Sequence, residues 1–194
     1  GALVHTLDNP NPYGTSTDDR FGYNVAISGN SAIVSAVEDD ASGSNSGKAY
    51  IYNVTTGALV HTLDNPNAYG TSANDYFGYS VSMSGNTAIV GAYLEDDAYA
   101  NPDGNGSGKA YLFNVTTGEL LQTLDNPNPY DGETPEDQFG YDVAISGNTA
   151  IVSARYEDDA EGRNSGKVYI YNVMPDDLEL QTNANLSITS TGSI

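Results

Sequence analysis

Three near-copies of one segment, apolar residues that alternate with a period of two, and Gly-Asn turns between those runs predict an all-β chain. The expected architecture is a set of β-propeller blades, three four-stranded antiparallel repeats that form part of a larger or oligomeric propeller or array. Phe21-Gly22-Tyr23, Phe77-Gly78-Tyr79 and Phe139-Gly140-Tyr141 open the three copies, 56 and 62 residues apart. Such units are too small to be domains, so stacking between them must supply the core.

The second copy shows each strand in turn. Phe77, Tyr79, Val81 and Met83 alternate with Gly78, Ser80, Ser82 and Ser84, which suits a half-buried strand closed by the turn Gly85-Asn86. Thr87 to Tyr93 is apolar and partly β-branched, a strand covered on both faces, until Glu95-Asp96-Asp97 and the following loop stop it. Lys109 to Val115 is the third strand. Glu119 to Leu124 is the fourth, ended by Asp125-Asn126-Pro127 because proline cannot donate to a ladder. A parallel β-helix is the structural alternative, although its coils are shorter and are not joined by two-residue turns. In strand-four-first phase the repeats span residues 1–56, 57–118 and 119–173, and residues 174–194 form a capping strand or a linker to another module. Residues 1–10 duplicate Gly57 to Pro66, so the chain reads as a segment of a longer array.

The formal net charge is −20, from 26 acidic and 6 basic residues. Phosphate binding needs a basic patch, so the balance argues against nucleic acid and anionic membrane as partners. No apolar run reaches the ~20 residues needed to insert in a bilayer. With no cysteine there is neither a disulfide scaffold nor a thiolate metal site. His5 and His61 are matched by Gln122 in the third copy, and no nucleophile and base pair is evident, so an enzyme is not expected.

The pattern Asp-x-Phe-Gly-Tyr, then Ser-Gly-Asn-x-Ala-Ile-Val-x-Ala, then Ser-Gly-Lys-x-Tyr resembles the FG-GAP repeats of integrin α-subunit propellers and their bacterial and marine viral relatives, over residues 1 to about 173. The resemblance implies a propeller at an extracellular, cell-surface or virion-surface location, with adhesion or ligand binding and no catalysis. Where the family carries a calcium loop, this chain has only Gly29-Asn30, Gly85-Asn86 and Gly147-Asn148, too few oxygens for an ion that takes six to eight. That calcium site is not carried over.

In an up-and-down blade the loops after the second and fourth strands emerge together, which places most of the acidic residues on one face and leaves the Ser-Gly-Asn face nearly neutral. There the triplets Glu38-Asp39-Asp40, Glu95-Asp96-Asp97 and Glu157-Asp158-Asp159 could join Asp19, Asp75 and Asp137 as hard oxygen ligands for calcium. The alternative is a solvated loop in which the aspartates bond backbone amides. Tyr13, Tyr69, Tyr76, Tyr99 and Tyr130 lie on the same face as candidate ligand-binding residues that can stack on and hydrogen-bond sugars. Phe21, Phe77 and Phe139 are expected in the core between blades. Lys48, Lys109 and Lys167 are expected to pair with the acidic loops at the surface.

The function expected is a non-enzymatic binding, adhesion and structural module, such as an adhesin or a viral tail-fibre component, using the acidic face on a protein or glycan ligand. The alternatives are a lectin-like glycan-binding module and a calcium-stiffened spacer or fibre subunit. Three blades do not close a ring, so a homo-oligomer or membership in a longer chain is expected.

Overall fold

The structure, a computed structural model, describes residues 1–10, 17–40, 42–66, 73–95, 106–128, 137–158 and 162–173. Among the described residues, eleven strands form three antiparallel meanders. Blade one is β1 (Phe21–Ser28), β2 (Ser31–Ala36), β3 (Lys48–Asn53) and β4 (Leu59–Asp64). Blade two is β5 (Ser80–Ser84), β6 (Thr87–Ala92), β7 (Lys109–Asn114) and β8 (Leu120–Asp125). Blade three is β9 (Phe139–Ser146), β10 (Thr149–Ala154) and β11 (Lys167–Asn172), with no fourth strand among the described residues. The antiparallel pairing removes the β-helix alternative. The proposed capping strand in residues 174–194 lies outside the described residues.

The turns follow from the sequence. Ser28 pairs with Ser31 across Gly29-Asn30, and Gly29 has φ +58 while Asn30 is not left-handed, as a type II′ hairpin requires. The β3–β4 turn is tied by the Asn53 side chain, which accepts the N–H groups of Thr55 and Thr56 at 3.0 Å, and Asn114 repeats this for Thr116 and Thr117. At the start of each blade a reverse turn carries the Phe-Gly-Tyr motif. Tyr79 N–H donates to Tyr76 O at 3.0 Å with Gly78 at φ +89, a position in a type II turn that favours glycine. The same glycine also lies against blade one, where a Cβ would come within 2.8 Å of the Ser35 Cβ.

Blades pack face to face. Ile33, Ile51 and Leu63 of blade one meet Phe77, Val81, Met83 and Phe113 of blade two. Ile89, Leu112 and Leu124 of blade two meet Phe139, Val143, Ile145 and Val152 of blade three in the same way. Each fully buried aliphatic side chain contributes about 1.5–3 kcal/mol, so these two interfaces supply the stability a single meander lacks. Phe77 and Phe139 are completely buried, each edge-on to aromatic residues of its own third strand, as the core expectation required. Phe21 is only partly buried, because it faces outward from blade one and is covered by the amino-terminal segment through Leu7.

The inner strands solve a separate problem. Their edges would leave N–H groups unpaired. The Ser80 and Ser82 hydroxyls accept the N–H groups of Val143 (3.1 Å) and Ile145 (3.2 Å), and Ser28 and Ser84 accept those of Gly85 and Gly147, both at 2.9 Å. The serines that alternate along each inner strand are therefore inter-blade acceptors as well as the polar side of a pleat.

Candidate functional site

The meander places the Ser-Gly-Asn turns and the β3–β4 turns at one end of each blade, and the β2–β3 loops and inter-blade links at the other. Thr55 Oγ1 bonds Asn30 at the first end, whereas Glu38 N–H donates to Asp19 O (3.3 Å) at the second. The loop parity expected from the sequence therefore holds for the described residues. Many of its acids, however, are not surface charge. Asp19, Asp39, Asp75, Glu95, Asp137 and Glu157 are all at most 3% exposed.

These six form one pair per blade, and the pairing corrects the sequence alignment of the triplets. The N–H groups of Asp39, Glu95 and Glu157 each donate to the carbonyl of the alanine three residues earlier, Ala36, Ala92 and Ala154. The equivalent residues are therefore Asp39, Glu95 and Glu157, and the first triplet is shifted by one. Tyr50 donates its hydroxyl to Asp39 at 3.1 Å and Tyr169 donates to Glu157 at 2.9 Å, while the buried Tyr111 is the corresponding residue beside Glu95. An asparagine following a fourth strand reaches in from the adjacent element: Asn65 Nδ2 donates to both Asp75 (2.8 Å) and Glu95 (2.9 Å), while Asn9 and Asn126 donate to Asp19 and Asp137, each at 2.7 Å. Burial, and next to it the charge of Asp75, pushes Glu95 up to about 8. Desolvation beside Asp39 raises the Tyr50 phenol as well.

The other acids have different partners. Glu38 takes Arg20 at 3.0 Å. Asp40 and Asp158 accept the N–H groups of Asn45 (2.7 Å) and Asn164 (2.6 Å) and so tie their own loops. Among the described residues, no group of three or more acidic or histidine side chains could hold a metal ion. Asp96, Asp97 and Asp159 lie outside the described residues.

The lysines are a second correction. Lys48 and Lys109 are 5% exposed and bond Asp64 and Asp125, their cross-strand partners in β4 and β8, rather than the acidic loops. Only Lys167, whose blade has no fourth strand among the described residues, turns to its loop carboxylate, Glu157, at 3.3 Å.

Of the candidate tyrosines, Tyr13, Tyr69, Tyr99 and Tyr130 lie outside the described residues. Tyr76 belongs to a cluster that spans all three blades. Its ring stacks on Tyr93 at 5.7 Å, Tyr93 lies 4.4 Å from Tyr79, and Tyr79 is 5.3 Å from Tyr23 and 5.0 Å from Tyr141. Tyr79 Oη donates to Tyr141 Oη at 3.2 Å. The Arg155 guanidinium sits 3.9 Å over the Tyr141 ring and 4.4 Å over Tyr156, and donates to the Tyr156 hydroxyl at 3.0 Å. Burial raises the Tyr93 phenol to about 12, so it remains a hydrogen-bond donor at physiological pH. Tyr23 and Tyr156 are exposed, giving the cluster open aromatic faces beside phenol hydroxyls and one cation. The sequence offered one signal for it, a tyrosine recurring after each Phe-Gly.

At the opposite end a groove of about 390 Å³ runs between blades one and two, lined by Ser28, Asn30, Asn53, Asn86 and Thr116 among others. Its polar groups already bond one another, as Thr116 Oγ1 and Asn86 do at 2.5 Å.

A family model described as FG-GAP repeat matches residues 12–52, 67–113 and 129–171, one segment in each copy. A search of curated proteins returns no match.

Proposed function

Because the chain belongs to the FG-GAP repeat family, whose repeats are generally associated with adhesion and binding rather than catalysis, we propose that it is a non-enzymatic recognition module of an extracellular, cell-surface or virion-surface protein. The tyrosine cluster at the acidic-loop end is its contact surface. The observation that carries this reading is the convergence of Tyr23, Tyr79, Tyr141, Tyr93 and Arg155 from three different blades onto one continuous aromatic surface. Packing alone would bury such rings, yet Tyr23 remains 41% and Tyr156 37% exposed. Open aromatic faces beside hydroxyls suit a glycan or a tyrosine- and cation-tolerant protein surface.

A glycan is the favoured ligand class, because stacking faces and hydroxyl donors lie side by side in the cluster. The test is a glycan array probed with a multivalent display of the chain. Binding to a restricted set of glycans, lost in Tyr156→Ser and Tyr23→Ser, is the expected result. An array without hits sinks the glycan assignment, and host-surface binding that survives both substitutions sinks the site.

A further inference from the structure

The two internal blade interfaces use one recurring set of contacts, and the outer faces of blades one and three each carry half of that set. On the donating side, Ile33 and Ile51 of blade one and Ile89 and Leu112 of blade two are at most 1% exposed beneath the next blade. Their equivalents in blade three, Ile151 and Ile170, are 40% and 71% exposed. On the receiving side, Val81, Met83, Val143 and Ile145 are 6–8% exposed, whereas Val25 and Ile27 of blade one are 64% and 67% exposed. Gly78 and Gly140 lie against the backbone of the preceding blade at Lys48 and Lys109, but a Cβ on Gly22 would meet nothing within 4 Å.

The amino-terminal segment sharpens the match. Leu3 to Asp8 has the same sequence as β4 and makes the contacts to blade one that β4 makes to blade two. His5 Nε2 donates to Thr55 O at 2.9 Å as His61 does to Thr116 O at 2.8 Å, and Asn9 reaches Asp19 as Asn65 reaches Asp75. Residues 1–10 thus sit where the fourth strand of a preceding blade belongs. Beside them a cavity of about 230 Å³, lined by Val4, Leu7, Ala32 and Tyr52, marks where a preceding blade's Ile33 and Ile51 equivalents would pack. In blade two the corresponding space is filled, since Ile33 and Ile51 cluster there with Ala88 and Phe113. Blade three has the complementary need, because the outer edge of β11 has no strand partner among the described residues.

We propose that this chain binds a second copy of itself head to tail. The exposed face of blade three in one copy receives blade one of the next, and residues 3–8 of the second copy pair beside β11 of the first. The internal interfaces fix the register: Lys167 of one copy meets Asp8 of the other, as Lys48 meets Asp64 and Lys109 meets Asp125. Ser146 Oγ accepts the Gly29 N–H of the other copy, as Ser28 and Ser84 accept those of Gly85 and Gly147. The occupant is another copy because each exposed face matches this chain's own other face, as the two internal interfaces show, which makes the contact heterologous.

The test is the mass of the full chain in solution by light scattering, at or above physiological ionic strength, where a screening length of about 8 Å or less mutes repulsion between two acidic copies. A species larger than 20.4 kDa is expected. Ile170→Lys and Val25→Glu alter residues already exposed in the single chain, so both variants keep the parent circular dichroism, and each alone runs as a monomer. Their equimolar mixture recovers a dimer, because the intact blade-three face of Val25→Glu meets the intact blade-one face of Ile170→Lys. A monomeric parent overturns the proposal, including the case in which residues 174–194 cover blade three. So does an oligomer that survives either single substitution, since the head-to-tail contact needs both faces, or a mixture that stays monomeric.

Discussion

Glu95→Gln isolates the energetic effect of a buried carboxylate pair. In the native blade Glu95 is fully buried, receives Asn65, and faces Asp75, so burial first and the Asp75 charge next push its carboxyl up to about 8 against 4.5 in an unfolded chain. A raised carboxyl pKa means that the native state binds the proton more tightly. Between pH 4.5 and 8 the unfolded chain releases that proton while the native one keeps it, so stability falls as pH rises, by about 1.4 kcal/mol per unit. Below 4.5 both states hold the proton and above 8 neither does, so the loss is confined to that window and totals about 5 kcal/mol at most. Glutamine keeps the shape and an acceptor for Asn65 but cannot ionise. Urea unfolding across this pH range is expected to show variant and parent nearly equal at the acid end and the variant progressively more stable toward pH 8. Parallel curves for the two proteins would refute the assignment of a proton to Glu95.

Three further outcomes follow from the packing. Phe77→Ala empties a fully buried site between two blades and should cost about 3–5 kcal/mol in denaturant unfolding, clearly more than Phe21→Ala, whose ring is only partly covered. Gly140→Ala drives a Cβ into the Lys109 carbonyl, whereas Gly22→Ala, at a similar φ of +90, meets open space in the single chain and, placed in the monomeric Val25→Glu variant, should show only the conformational penalty of about 1–2 kcal/mol; equal thermal shifts for the two in that background would contradict the blade contact. His61→Ala removes a bond from β4 to the turn of blade two and should lower stability by about 1 kcal/mol, with hydrogen exchange accelerated first at the Thr116 turn; unchanged exchange there would rule out the link.

The strands and their turns were legible because alternation and Gly-Asn pairs are local signals. What the sequence did not disclose depends on register between strands. The acidic triplets look equivalent as letters, yet their burial is set by distance from the end of the second strand, where the copies differ by one residue; Asp39 therefore shares a role with Glu95 and not with Asp96. Lys48 stands next to an acidic loop in sequence, but the β3–β4 ladder places Asp64 opposite it, past an irregularity at Ile51 and Tyr52 that no composition rule reveals. Ser80, Ser82 and Ser84 read as the wet side of a strand because alternation cannot distinguish water from a neighbouring blade's N–H groups. The tyrosine cluster was hidden for a similar reason, since Tyr23, Tyr79 and Tyr141 are separated by whole repeats and meet only once blades stack.

The contacts that join one blade to the next fall at three distances from the inner strand. Serine hydroxyls bond the innermost edge, aliphatic residues fill the middle, and at the fourth strand a histidine and an asparagine reach a turn carbonyl and a buried aspartate. Apolar burial alone would tolerate sliding of one sheet over another, because it is non-directional. The flanking polar bonds remove that freedom, since a slip of one residue would leave Asp75 and Glu95 buried without Asn65, and an unsatisfied buried carboxylate costs more than the hydrogen bond contributes. The acid pairs are thus tolerated for the alignment they impose: each becomes stable only when the preceding fourth strand delivers its asparagine. This makes the stacking of blades specific to their own kind, and it explains why residues 1–10, which carry the sequence of that strand and its Asn9, dock on blade one with the same two bonds.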